Sequence, residues 1–257
     1  MQHQLNIAGI ASVTLNEMPD QTFRPFGADF YRDLFSLYQL PLTVEAMGKG
    51  KFSTFEGLCV QAIEKLGGKE ALAGVDLLIL AHYLPNTIAY HSTTSFLLER
   101  YGLNAFAFAV SDQEKGASFT ALDLAQDYFA TGGAKKALLI TVEQSTLPME
   151  VPWPKVGELK DTAVALLLEA GEGTKILATG AVPYTHALEL KTALLAQAKV
   201  PAEDVALLSE NNLSPDSAVS AFWLAMEKWM KEGTQPYLLA LQEGCGRSRG
   251  FLLKRPE

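Results

Sequence analysis

The side chains best placed for chemistry in this chain are Asp112-Gln-Glu-Lys-Gly116. They fall between an apolar run from Asn104 to Ser111 and a helical run to Ala130 that carries Ala121, Leu122, Ala125, Tyr128 and Phe129 on one stripe. A polar elbow between a buried strand and a helix leaves backbone N–H groups free to face a ligand. A carboxylate at Glu114 is stabilised there in its charged form, and a desolvated Lys115 would be able to form a Schiff base. The plainer reading of both is a charged plug without chemistry. A second polar elbow, Glu210-Asn-Asn212, follows Val205 to Ser209. Glu210 and Asn212 either orient a ligand across the same cleft or are solvated turn residues.

The other reactive side chains are scattered. His82 ends an apolar run and His91 precedes a helix, positions from which either imidazole could act as a base. Neither has an acidic or thiol neighbour at a suggestive spacing, and a structural or surface role is the alternative. His3 and His186 add nothing further. Of the two cysteines, Cys59 lies with Ala62, Ile63 and Leu66 on the apolar side of a helix, as a packed core thiol would. Cys245 sits in a tight Gly244-Cys-Gly246 turn and is the cysteine worth testing. Closely spaced Cys and His ligands are lacking, so no metal site is expected.

Leu5 to Leu15 reads as an opening strand, and Asn16 to Gly50 as a long loop carrying one short helix. Ser53-Thr-Phe-Glu56 has capping-box spacing and starts a helix that stops at Gly67-Gly68. A buried strand, Val75 to His82, and a helix, His91 to Gly102, capped among Ser92 to Thr94, precede the elbow unit. The strand Lys136 to Glu143 follows it. A proline-rich loop then leads to Asp161 to Glu169, which is expected to pair with Lys175 to Val182 as a hairpin across Gly171-Glu-Gly173. The last third repeats the alternation: a helix from Ala187 to Ala198, a strand from Val205, a helix from Ser217 to Glu232, and a hairpin of Tyr237 to Gln242 with Gly250 to Lys254. The expected architecture is α/β in two related halves, residues 1–150 and 151–257, forming one compact unit with the second half shortened.

The chain has 257 residues, 48% hydrophobic and 19% charged, enough to bury a large core. A net charge of -8 with scattered Lys and Arg argues against nucleic acid. With no membrane-length apolar run and no signal-peptide pattern, no membrane association and a cytoplasmic location are the expectations.

One family resemblance rests on the order of several segments: Ala81-His-Tyr-Leu-Pro-Asn86, Leu97-Leu-Glu-Arg-Tyr-Gly-Leu103, Ala121-Leu-Asp-Leu-Ala125, Gly133 to Ile140, Val142-Glu143, Asp161 to Glu169 and Gly244-Cys-Gly-Arg-Ser-Arg-Gly250. From about residue 70 onward the chain resembles the β-ketoacyl-acyl carrier protein synthase III family of the thiolase fold. That resemblance implies a cysteine at the elbow to carry the acyl group, and a histidine and an asparagine from the second half. A thiolate suits the role because it is nucleophilic near neutral pH at a helix N-terminus. Here the cysteine position falls on Lys115 or Glu114, depending on which landmark sets the register, the histidine position near Glu210 and the asparagine position near Pro215. All three groups are missing.

By resemblance the chain is therefore similar to the cysteine-less partner subunits of heterodimeric ketosynthases: the chain-length factors in role, and the small subunit of the alkylquinolone-forming condensing enzyme in size. The implied function is a non-catalytic subunit in fatty-acid-derived, polyketide or quinolone-like biosynthesis that shapes the acyl pocket of a cysteine-bearing partner. Phe106 and Phe108 on the elbow strand would lie at the interface, unless they are ordinary sheet packing. No cofactor is expected in this chain, while the partner would use acyl-CoA or acyl carrier protein thioesters. The partner would be a ketosynthase homologue or a second copy, and an acyl carrier protein is a further candidate. Arg247 and Arg249 would then meet a phosphopantetheine or carrier phosphate, or be plain hairpin arginines. Two alternatives stay open: a stand-alone acyl-transfer or decarboxylating enzyme using Glu114, Lys115 or Cys245, and an acyl or acyl-carrier binding protein.

Overall fold

The computed structural model describes residues 5–15, 33, 36–37, 53–86, 91–111, 113–145, 159–209, 213, 217–244 and 246–256. The elements, in order, are β1 (Leu5–Leu15), α1 (Phe55–Leu66), α2 (Gly68–Ala71), β2 (Leu77–His82), α3 (Thr93–Tyr101), β3 (Phe106–Val110), α4 (Ala117–Ala130), β4 (Lys136–Glu143) and β5 (Asp161–Ala170). Then come β6 (Thr174–Pro183), α5 (Ala187–Ala198), β7 (Val205–Leu208), α6 (Ala221–Glu232), β8 (Tyr237–Gly244) and β9 (Arg247–Lys254). Nine strands form one sheet in the order β3-β2-β4-β5-β1-β6-β9-β8-β7.

Side-chain alternation along the strands divides the core into layers. Leu77 and Ile79 of β2, Leu139 of β4 and Leu166 of β5 point to a central core with α4 and α6, shared with Leu238 and Phe251 of β8 and β9. The intervening residues, Leu78, Leu80, Leu138 and Ala165, face outward onto α1 and α3. In the second half, Leu239 and Leu252 face α5 through Leu190 and Leu194. The result is α-β-α-β-α, with α4 and α6 between the two halves of the sheet. Phe119 of α4 meets Phe251 at 4.7 Å and Phe222 of α6 at 5.0 Å between ring centroids, and Trp223 stacks on Phe251 at 5.4 Å. Such ring contacts add about 0.5–1.5 kcal/mol each beyond burial.

The two halves share one wiring. In the first, β2 runs parallel to β4, β4 antiparallel to β5 and β5 antiparallel to β1. In the second, β7 is parallel to β8, β8 antiparallel to β9 and β9 antiparallel to β6. The second half has no counterpart of α3 and β3 among the described residues. Residues 83–116 separate β2 from α4, whereas only residues 209–220 separate β7 from α6. That span is too short for a helix and a further strand with their turns. The shortened second half is thus a lost helix-strand pair.

One expected pairing is corrected. β5 and β6 do not form a hairpin: β1 lies between them, paired with β5 along its length and with β6 at Asn6 and Ile7. The turn at Gly171 to Gly173 steps across the end of β1. Asn6 Nδ2 donates to Gly171 O, and a Cβ on Gly173 would stand 2.5 Å from Ile7 O. Two smaller boundaries also move. The cap of α1 is Thr54, whose hydroxyl accepts from Gly57 N at 2.9 Å, and α6 starts at Ala221 rather than at Ser217. No helix among the described residues is long and apolar enough to cross a membrane.

Candidate functional site

The carboxyl end of β3 leads into a 3-10 turn, Glu114–Gly116, and directly into α4. Glu114 adopts φ 49°, the left-handed region, a conformation that costs a non-glycine residue about 1 kcal/mol or more. Its side chain and that of Lys115 are exposed.

The second half of the chain holds this turn from below. Gln242 of β8, only 3% exposed, donates from Nε2 to Lys115 O at 2.8 Å. Arg249, paired with Gln242 in the β8–β9 register, lays Nη1 3.0 Å from where a Cβ on Gly116 would stand. Gly116 thus makes room for a guanidinium. One α4 stripe, Gly116, Thr120, Asp123 and Asp127, continues from that point. Burial pushes the Asp123 carboxyl up to about 6, against the pull of Arg249 and with a further push from Asp127. Sequence reading missed Asp123 and Gln242, because their place depends on how the two halves dock.

The remaining candidates fall elsewhere. His82 and His91 come together in the wall of a cavity of about 170 Å³ with Asn86, Thr93 and Thr94. His82 Nδ1 lies 2.9 Å from Leu84 O, and its ring meets Phe55 edge-on at 5.4 Å. His186 is exposed. Cys59 is fully buried in the outer core, where burial, helped by the charge of Glu56, pushes its thiol well above the ordinary range. It stays protonated and packed, as expected of a core cysteine. Arg247 is exposed on the face of β9 that carries Arg249. His3, Asp112, Glu210, Asn212, Pro215 and Cys245 lie outside the described residues. Among the described residues, no group of three or more His, Cys, Asp or Glu side chains is placed to hold a metal ion.

Two buried carboxylates fasten the frame around the elbow. Glu143, at the end of β4 and 1% exposed, accepts from the N–H groups of Ala218, at 2.6 Å, and Ser220, just before α6. Thr141 Oγ1 lies 2.9 Å from Ser220 Oγ. Asp161 accepts from Ser145 N at 2.6 Å, Ser145 Oγ at 2.7 Å and Ser53 N at 3.2 Å, tying β5 to the end of β4 and the approach to α1. Carboxylates with this many N–H partners are structural anchors.

Phe106 is 58% exposed on β3, which forms the edge of the sheet. Its ring lies 5.6 Å from Phe108 and 5.9 Å from Tyr128 of α4, and Phe108 also packs on the central core. The duplicated five-layer wiring, with a strand-to-helix elbow between the halves, decides the architecture. The fold is thiolase-like. Solved structures superpose across nearly the whole chain. The acyltransferase ChlB3 aligns at TM-score 0.68 and 14% identity, over 98% of both chains. The 3-oxoacyl-[acyl-carrier-protein] synthase III of Aquifex aeolicus VF5 aligns at TM-score 0.68 and 17% identity, over 97% of this chain and 99% of that one. A variant of OleA from Xanthomonas campestris aligns at TM-score 0.68 and 12% identity, over 98% of both. No family model and no curated protein matches the sequence.

Proposed function

We propose that this thiolase-like chain is the non-catalytic partner subunit of a heterodimeric, ketosynthase III-like condensing enzyme, shaping the acyl pocket of a cysteine-bearing mate. The observation that carries the reading is the elbow itself. The start of α4 follows two exposed charged side chains, Glu114 and Lys115, and Cys59, on α1, is fully buried in the outer core. A thioester needs an accessible thiolate, which neither supplies. The edge strand β3 supports the second part of the reading. Its sequence Ala105-Phe-Ala-Phe-Ala-Val110 is apolar and uncharged, with Phe106 presented outward. Edges of this kind are ordinarily covered or charged unless another chain pairs with them. The mate would carry the acyl group from acyl-CoA or an acyl carrier protein in fatty-acid-derived, polyketide or quinolone-like biosynthesis.

The test is co-expression with cysteine-bearing homologues from the same genome, followed by co-purification and acyl labelling. A stable mixed dimer with label on the mate alone supports the reading. Label on this chain overturns it. A second reading, a stand-alone enzyme, draws on the left-handed backbone at Glu114, because such strain gathers at active sites. Turnover by the isolated chain, lost in Glu114→Ala, would favour it.

A further inference from the structure

Arg249 of β9 and Asp123 of α4 lie on opposite sides of the seam where Phe251 packs on Phe119. Both are half-buried, and neither makes a hydrogen bond or close ion pair among the described residues. The guanidinium rests on Gly116, with Nη1 3.0 Å from where a Cβ on that residue would stand. Asp123 follows two helical turns later on the same face, a rise of about 10 Å, and helical side chains lean toward the amino end. An arginine covers the remaining gap by turning about its own methylenes. The turn before α4 is tied separately, through Gln242 Nε2 to Lys115 O at 2.8 Å. Burial holds the Asp123 carboxyl above its ordinary range, with Arg249 pulling it down and Asp127 on the same helix adding to the rise. Among the described residues the other neighbours of α4 bring it no further charge. β3 is apolar from Phe106 to Val110, β2, β4 and α6 meet α4 through the central core, and Gln242 of β8 is neutral. Arg247, Glu114 and Lys115 are exposed nearer the rim.

We infer that Asp123 and Arg249 form a proton-controlled latch on the elbow. While the carboxyl is protonated the guanidinium stays on Gly116; once it ionises, the guanidinium swings along α4 to pair with it and uncovers the start of the helix. Leaving Gly116 forfeits no hydrogen bond, and the half-buried carboxylate, short of water, gains a charge-assisted one. Protonation removes that attraction. A glycine is needed for the first position, because any Cβ at 116 would press on the guanidinium. The latch lies wholly within this chain and works with or without a mate.

The test is nuclear magnetic resonance on the full, isotopically labelled chain from about pH 4 to about pH 8, a range that spans both aspartate states. It follows the Asp123 carboxyl carbon, the Gly116 amide and the nuclear Overhauser contacts of the Arg249 side chain. Below the Asp123 midpoint, Arg249 contacts to Gly116 Hα are expected. Above it, they give way to contacts with Asp123 Hβ, and the Gly116 amide shifts in one step at that same midpoint, at or below about 6. In Asp123→Asn the Gly116 contacts are expected at every pH, without the step. In Arg249→Gln the step is lost and the Asp123 midpoint rises, since the pull of the guanidinium is gone. Arg249 contacts to Gly116 that persist unchanged above the midpoint overturn the latch. So does a Gly116 step that survives Asp123→Asn, or an Asp123 midpoint that Arg249→Gln leaves in place.

Discussion

At Gly173 the backbone stands at φ 129°, and any Cβ would run into Ile7 O. Gly173→Ala combines a forbidden backbone region with a backbone clash, and is expected to destabilise the fold by on the order of 2–4 kcal/mol, read by urea denaturation. Asp123 gives a pH signature. Its folded value, about 6, lies above the roughly 3.9 of an unfolded aspartate. Between those values the folded chain holds a proton that the unfolded chain releases, so stability falls as pH rises from about 4 to about 6. Allowing for partial exposure, the change is about 1–2 kcal/mol. Asp123→Asn should flatten that slope when unfolding is measured across the same interval. Arg255 closes the far end of the molecule: its guanidinium lies 5.1 Å over the Trp229 ring and donates to the carbonyls of Trp229 and Gly233 at the end of α6. Arg255→Ala is expected to lower stability by about 1–3 kcal/mol with the fold retained, checked by thermal unfolding.

Elements written in local signals were readable in the sequence. The Gly67 and Gly102 stops, at φ 119° and 64°, and the Ser92 cap of α3 need only their near neighbours. The start of α6 was not readable, because the residues before it are held by Glu143 from another strand. Nor was the place of β1 between β5 and β6, since a turn between two strands specifies a reversal and not which strand lies alongside. The candidate site divides the same way. The elbow and its charged residues lie in one continuous stretch, while Gln242, Arg249 and Asp123 converge only through docking of the halves. At this scale the edge strand β3 makes a prediction. Phe106→Lys, at an exposed edge position whose ring meets Phe108 and Tyr128, should lower stability by no more than about 1–2 kcal/mol with the fold retained, while abolishing co-purification with a mate.

For the whole molecule, duplication with loss is the informative feature. The first half keeps α3, β3 and the elbow, and the second keeps the central helix α6 while dispensing with the helix-strand pair before it. The frame holding the elbow is intact, from the aromatic contacts between α4 and α6 to the Glu143 and Asp161 anchors. This retained frame, with an uncharged edge strand and no thiol in the elbow sequence, is the basis of the proposed subunit that lends shape to another chain's reaction. The most direct measurement is acyl labelling of the purified pair with a radioactive acyl thioester, followed by denaturing separation of the two chains. Label is expected on the cysteine-bearing mate and none on this chain. Label held covalently by this chain, alone or in the pair, would contradict it.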